Sequence, residues 1–490
     1  MAGRYRCRRS LATPGLGRAG FSVAAGRRGR IDGAMLYLST RGAAQRHTFS
    51  EAVEAGLAPD GGLFLPESLP EIGGRLAAWE RLSYAELAAE FLALFAPEIA
   101  LEEWHAMTRE AYAGFAHPDV APLVELTPRT FVLELWHGPT LAFKDFALQL
   151  LGLLYKRQVQ RTGRALAVLG ATSGDTGSAA IHGCLGQAGI NIFILYPDGR
   201  VAPLQERQMA CTGAANVFAM PVPGTFDDAQ AVVKAAFGDT AFAREVNLAA
   251  VNSINIARVL AQCVYYIRAW LRLPAEARAC GVEFVVPTGN FGNVLAGWLA
   301  GKMGLPGVGF RVATNQNDIL HRFFSTGVYE QGDVRPSHAP SMDIQAASNF
   351  ERFLYYLLGE NPARVSAVMQ EMKQTGRADL RAHGATGFRS TRMDDAEIER
   401  VIAQTWRDSQ YVLDPHTACA FTGMSAEKTS VVLATASPAK FPEVVARATG
   451  TEPRHPALEA LKSLPLRTFP LPADTGAVQE FIRRRIQAQG

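Results

Sequence analysis

Three apolar runs in the middle of the chain, each ending in a turn of glycine or small hydroxyl residues, set the expected architecture. The segment "ALAVLGATSGDTGSAAIHGCLGQAGINIFILYP" predicts a buried strand over residues 165 to 169, a turn at "GATSGDTG", a helix over 178 to 188 and a second strand at "INIFILYP". The order repeats in "VEFVVPTGNFGNVLAGWLAGKMGLPGVGFRVATN", with a strand at 282 to 286, a turn at "PTGNFGN", a helix through "VLAGWLAGKM" and a strand near "GFRVATN". Apolar runs alternating with helical patterns are the mark of βαβ units in a parallel sheet covered on both faces. A further buried strand, in "SVVLATASPAKF", is expected to end at Thr435. Both glycine turns then fall at carboxyl ends of strands and at helix N-termini, where open α/β sheets bind ligands.

The flanking regions read differently. From Leu36 to about Pro122 short strands mix with turns such as "APDGGLFLPESLP" and helices such as "SYAELAAEFLALFA", in which Leu87, Phe91, Leu92 and Phe95 recur at helical spacing as a core stripe. The predicted division is a leader over 1–34, a small N-terminal α+β domain over 35–122, a core of two α/β subdomains over 123–441 and a C-terminal extension over 442–490. The terminal "FIRRRIQAQG" reads as a solvated helix. The leader is rich in arginine and carries no acid before Asp32. A transit peptide would also be serine-rich and amphipathic, and an RNA-binding arm would interleave aromatic residues. The segment reads as a disordered leader or an overextended start, with Met35 opening the more protein-like "MLYLSTRG".

Composition narrows the classes of function. The 490 residues are 48% hydrophobic and 19% charged, enough for substantial cores in two or three domains. Eight of the 49 basic residues lie in the first 30 positions, so the body carries 41 against 46 acidic ones and offers no nucleic-acid or membrane-surface field. Six scattered cysteines without CxxC spacing argue against a disulfide framework and a zinc site, so no metal is expected. A reducing compartment fits them, and the cytoplasm is the expected location. The longest charge-free stretch, after Asp175, is broken by Gly177, Gly183, Gly186 and Gly189 and does not read as a membrane span.

Candidate chemistry sits in three short segments. In "GNFGN", Gly289 to Asn293, glycines at the first and fourth positions let backbone amides approach an anion at a helix start, although such a turn also serves simply to connect a strand to a helix. In "SGDTG", the hydroxyls of Ser173 and Thr176 and the amides beside Gly174 suit a carboxylate, or else cap the helix; Asp175 is repulsive to an anion unless it accepts a proton or hydrogen bond. In "HGPTLAFKDFALQLLG", Lys144 lies among Leu141, Ala142, Phe143 and Phe146. Burial would lower its pKa and free an amine to attack a carbonyl; snorkelling to solvent or pairing with Asp145 is the alternative. A nucleophilic lysine, a carboxylate turn and a phosphate turn together are the parts that hold pyridoxal phosphate and an amino acid.

Taken in order, "HGPTLAFKDFALQ", "GATSGDTGSA", "PTGNFGNVLAG" and "ATASPAKF" resemble the threonine synthases of the bacterial and fungal class. The similarity runs from about Met35 to about Phe441. It implies fold type II of the pyridoxal phosphate enzymes, tryptophan synthase β-like, with two open α/β domains and the cofactor in the cleft between them. It further implies that Lys144 binds the cofactor covalently and shuttles protons, with Phe143 beside it. By the same resemblance Gly289, Asn290, Phe291, Gly292 and Asn293 hold the cofactor phosphate, Asp175 stands near the phenolic oxygen, and Thr435 meets the pyridine nitrogen as a neutral hydroxyl. Ser437 replaces a family histidine. Substrate ligands are expected at Ser173, Gly174, Thr176 and Gly177, and in "NSINIARVLAQ" at Asn255 and Arg258, of which only Arg258 has a fixed charge. The implied reaction takes O-phospho-L-homoserine and water to L-threonine and phosphate. A phospholyase giving 2-oxobutyrate, ammonia and phosphate, or a cofactor-binding protein without turnover, are the rivals. The oligomeric state, monomer or homodimer, is open.

Overall fold

The computed structural model describes residues 35–172, 174–384 and 386–488; the leader and Ser173 lie outside them. Fourteen strands run in chain order as β1 Tyr37–Ser39, β2 Phe64–Pro66, β3 Leu123–Thr127, β4 Thr130–Glu134, β5 Leu166–Ala171, β6 Ile190–Pro197, β7 Val217–Val222, β8 Leu248–Ala250, β9 Val282–Pro287, β10 Val308–Thr314, β11 Val328–Glu330, β12 Arg377–Asp379, β13 Phe388–Arg392 and β14 Thr429–Ala434. Two sheets dominate. A six-stranded sheet has the order β13-β10-β9-β14-β4-β3, parallel except for the β3–β4 pair, and a four-stranded sheet has the order β7-β6-β5-β8 and is all parallel. The strands β5, β6, β9 and β14 are nearly or wholly buried, as continuous apolar runs require when both faces are covered.

The N-terminal part pairs β1 with β2 antiparallel and packs helices beside them. Helix Tyr84–Ala93 begins with a capping box between Ser83 and Glu86, and Leu87, Phe91 and Leu92 are buried on its inner face. The helix predicted over 178 to 188 runs instead over Asp175–Cys184. Its start moves forward because the turn leads straight into helical geometry, and it stops where Leu185 turns extended before left-handed Gly186.

The helix Lys144–Thr162 follows β4 of the six-stranded sheet, precedes β5 of the four-stranded one in the chain, and lies against helix Asp175–Cys184. They approach backbone to backbone. A Cβ on Gly152 would meet the Gly183 carbonyl oxygen at 1.9 Å, and one on Gly183 would meet that of Leu148 at 2.3 Å, so side chains larger than hydrogen are excluded at both.

The chain's end differs from the solvated helix expected from "FIRRRIQAQG". Helix Thr475–Gln487 buries Val478 and Ile482 completely, in a cluster with Leu169, Phe193 and Phe218 of the four-stranded sheet. Its arginines border that seam, and Arg485 stacks over Phe218, Phe469 and Phe481. A dense charge pattern hid a two-residue apolar seam. Among the described residues no helix is long and apolar enough to cross a membrane.

Candidate active site

Strands β5, β8, β9 and β14 deliver their carboxyl ends to one cleft of about 1170 Å³ between the two sheets. Lys144 opens its helix there. The loop that precedes it is tightly held: Asp145 accepts from the Thr140 amide at 2.8 Å and its hydroxyl at 2.7 Å, and Leu141 is left-handed at φ 61°. A left-handed leucine stores strain that only surrounding structure can maintain. The Phe143 amide donates to the Thr435 carbonyl at 2.9 Å, and the Ser437 amide to the Leu141 carbonyl at 3.0 Å, so the end of β14 and the base of Lys144 form one piece.

Lys144 does not reach open solvent. Its side chain is 13% exposed, and Nζ lies 3.6 Å from Asp175 Oδ2, 3.5 Å from Ser341 Oγ and over the Phe143 ring. Burial, against the pull of Asp175 and aided by repulsion from Lys440 and Arg258, lowers its pKa from the ordinary lysine value. Asp145, offered above as its partner, is bonded to Thr140 and Gln149 instead.

Asp175 accepts four contacts: Lys440 Nζ at 2.6 Å and Gln205 Nε2 at 2.9 Å on Oδ1, Ser341 Oγ at 3.2 Å and the more distant Lys144 on Oδ2. Burial alone would raise its pKa, but Lys440, then Lys144 and His416, hold it well below the carboxylate range. The aspartate is therefore an anion held by protein cations, which resolves the repulsion expected from its sequence position.

The glycine turn begins helix Gly292–Lys302. Phe291 before it is left-handed at φ 63°, and no side chain caps the helix. A left-handed residue at an uncapped helix start forms a concavity of amides suited to an anion. The phenylalanine ring itself is buried among Phe324, Phe350 and Phe353, so Phe291 offers backbone only. Asn293 Oδ1 accepts from Tyr265 and Tyr266 at 2.6 and 2.7 Å, whereas its buried Nδ2 has no partner. Asn290 Oδ1 accepts from Ser348 Oγ at 3.1 Å. Gly289 lies close under the Ser341 carbonyl.

Several expected substrate ligands have other tasks. The amides of Gly174 and Gly177 both donate to Thr172 Oγ1 at 3.0 Å, and Gly177 is packed on Thr172 and Met209 away from the cleft. Asn255 is the cap of helix Ile256–Arg272: Oδ1 accepts from the Ala257 amide and Nδ2 donates to the Val53 carbonyl, which uses both ends. Ser173 lies outside the described residues, while Thr176 remains at the cleft wall. Arg258 does face the cleft and is buried; Nη1 makes one long contact to the Val251 carbonyl at 3.5 Å, and Nε has no partner. Burial pushes its pKa down to about 10. Ser437, in place of the histidine, caps the short turn Pro438–Lys440 through its hydroxyl.

Sequence reasoning missed Lys440, Ser341, His416 and Thr172. A lysine between Ala439 and Phe441, just past a buried strand, carries the same signal as Lys144. His416 accepts from the Ser341 amide at 3.1 Å through Nε2, while Nδ1 faces Asp414 at 3.0 Å. That assigns the ring proton to Nδ1. Nothing in the irregular segment around Ser341 signals a contact with residues 166 and 197 positions away.

The residues present suit a phosphorylated aldehyde: an amine for the carbonyl, an uncapped helix start for the phosphate, and an unpartnered buried donor, Asn293 Nδ2. The comparisons agree. Residues 36–112 match the model for the threonine synthase N terminus, 120–435 that for pyridoxal-phosphate dependent enzymes, and 416–482 that for the threonine synthase C-terminal region. The chain belongs to the threonine synthase family. It is 44% identical over 461 residues to the threonine synthase of Pseudomonas aeruginosa, covering 91% of this chain and 98% of that one. It is 43% identical over 453 residues to the threonine synthase of Schizosaccharomyces pombe, covering 84% and 88%. The crystal structure of pyridoxal-phosphate-bound threonine synthase from Brucella melitensis superimposes with a TM-score of 0.88 at 43% identity, over 92% of this chain and 99% of that one. The similarity expected to end near Phe441 thus continues to residue 482. Its fold is type II, and its cofactor is pyridoxal 5'-phosphate.

Proposed function

We propose that this chain converts O-phospho-L-homoserine and water to L-threonine and phosphate, as its threonine synthase relatives are named for doing. The observation that carries the residue assignment is the Lys144 amine, buried in a cationic cleft and contacted by Ser341 and Asp175. When bound, the cofactor supplies an electron sink for the pair left behind as a proton leaves Cα.

The chain's own residues do the rest. Lys144 would hold the cofactor, and its amine is placed to take the α-proton and then a proton from Cβ. The amides of the 289–293 turn, Asn293 Nδ2 and Phe143 would hold the cofactor, and the Thr435 hydroxyl would be the neutral partner for its ring. Thr176 at the start of helix Asp175–Cys184 would receive the substrate carboxylate, through its hydroxyl and backbone amide, since the amides of Gly174 and Gly177 are taken by Thr172. Arg258 binds the substrate phosphate. Phosphate leaves from Cγ, the carbon next to the one that gives up the second proton; Cγ then gains a proton and becomes the methyl group, water adds its hydroxyl at Cβ, and Cα regains the proton it lost. Charge at Arg258 orients the substrate without touching the reacting carbons. The partner is a small molecule, and the buried thiols of Cys184, Cys263 and Cys419 support a reducing, cytoplasmic setting.

The test is the product spectrum, by NMR, after the purified chain and pyridoxal phosphate are incubated with O-phospho-L-homoserine. Threonine with one phosphate per turnover is expected. Accumulating 2-oxobutyrate and ammonia would reassign the chain as a phospholyase acting at the same site.

A further inference from the structure

Lys440 has no part in the reaction as described, yet its charge is fully enclosed behind the cleft, against Asp175. Its side chain is 0% exposed; Nζ lies 2.6 Å from Asp175 Oδ1 and donates to the Thr140 carbonyl at 2.9 Å. It stands on the turn after β14, whereas Asp175 opens the helix after β5, so the pair bridges the ends of the two sheets. The contacts to Asp175 are unequal. Oδ1 takes Lys440 and Gln205, while Oδ2 takes Ser341 and leaves Lys144 at 3.6 Å. A buried carboxylate needs a cation in contact. Here that cation is Lys440, on the face of Asp175 away from Lys144.

We propose that Lys440 is a positioning residue for the lysine chemistry of this site: by holding Asp175 through Oδ1 it keeps Lys144 Nζ out of a closed ion pair and available as a nucleophile. The proposal rests on the reading that Lys144 carries the cofactor. Without the Lys440 charge, the buried carboxylate has one lysine left to pair with, and a like charge that repels Lys144 is gone. Both changes favour the protonated amine, so the pH at which Lys144 becomes reactive rises. Asp175→Asn acts the other way, since it removes the attraction and leaves the repulsion. The charged and titratable groups that bear on this pair come from four elements: Asp175 itself, Lys440, Arg258 on helix Ile256–Arg272, and His416 near Asp175. On Lys144's own helix, Asp145 is bonded to Thr140 and Gln149 and also faces the Lys440 charge across Thr140.

The experiment is cofactor attachment as a function of pH. The full-length chain, freed of cofactor, is mixed with pyridoxal phosphate from neutral to alkaline pH, trapped with borohydride, and mapped for the modified lysine. Lys440→Met is expected to raise the midpoint of attachment, with about tenfold less reactive amine at neutral pH, a shift of about one pH unit. Asp175→Asn is expected to lower it. Opposite shifts are the signature, because a structural role alone moves neither midpoint or moves both together, and either result overturns the proposal. Trapping at another lysine in the unaltered chain overturns the reading beneath it and the proposal with it; trapping at Lys144 with an unchanged midpoint in Lys440→Met overturns the role of Lys440 alone. If Lys440→Met does not fold, Lys440→Gln keeps a donor toward the Thr140 carbonyl and reads the same midpoint.

Discussion

The Tyr265 hydroxyl donates to Asn293 Oδ1 at 2.6 Å, from the helix Ile256–Arg272 to the first turn of the helix Gly292–Lys302. With Oδ1 occupied, also by Tyr266, the unpartnered Nδ2 is the end of the amide left for a ligand in the cleft.

Tyr265→Phe combined with Tyr266→Phe should therefore free that amide to rotate and weaken cofactor binding about tenfold, the worth of one lost hydrogen bond of about 1.4 kcal/mol. Equilibrium titration with pyridoxal phosphate measures it. Unchanged affinity would mean that Asn293 does not serve the cofactor through Nδ2.

Lys144→Ala should remove the absorbance of the covalently bound cofactor from the purified chain. The variant's spectrum is the check, and persistence of that band would move the attachment to another lysine.

Arg258→Gln should raise KM for O-phospho-L-homoserine tenfold or more while changing kcat less, because a charge-assisted bond to phosphate contributes about 1.5–3 kcal/mol. Inhibition by inorganic phosphate should weaken in parallel. Steady-state kinetics decide it, and an unaltered KM would return Arg258 to a purely structural part.

Asp145 gives a pH dependence of definite sign. Burial, against hydrogen bonds from Thr140, raises its pKa from 3.8 to about 6. The folded state thus binds the proton more tightly than the unfolded one. That stabilisation is fully present below the unfolded value, falls as pH rises through about 6, and is about 3 kcal/mol in total. Compared with Asp145→Asn, which mimics the neutral form, the native chain should lose about that much stability between acidic and neutral pH. Denaturant melts of both proteins at the two pH values measure the gap; a gap that does not grow with pH would contradict the assignment.

Ile482→Ala should cost about 2–4 kcal/mol through the cavity left against the four-stranded sheet. Thermal melting should show the loss while the cofactor spectrum stays unchanged. A melting temperature equal to that of the native chain would mean that the C-terminal helix does not stabilise this sheet.

The legible parts of the chain were those in which chemistry and local geometry coincide in a few consecutive residues. A continuous apolar run has few alternatives to a buried strand, so β5, β6, β9 and β14 fell close to their expected limits. The burial of Lys144 followed from its neighbours. Less legible were residues whose task depends on a distant partner. Asn255 and Gly177 belong to suggestive motifs, yet their polar groups are taken by Val53, Ala257 and Thr172. The terminal helix reads as solvated because three consecutive arginines outweigh two apolar positions, Val478 and Ile482, whose importance lies in the surface they meet.

Sequence alone determined the order of the βαβ units, the strand ends at which a ligand would sit, and the lysine and glycine turns that suit a phosphorylated aldehyde. These are local properties: strand burial, turn conformation and helix polarity are set by residues within a few positions of one another. Only the tertiary structure decided the electrostatics of the cleft. Asp175 is an anion among Lys144, Lys440 and His416 because four segments far apart in the chain meet there out of water, and the charge each group carries depends on how near, and how dry, the others are.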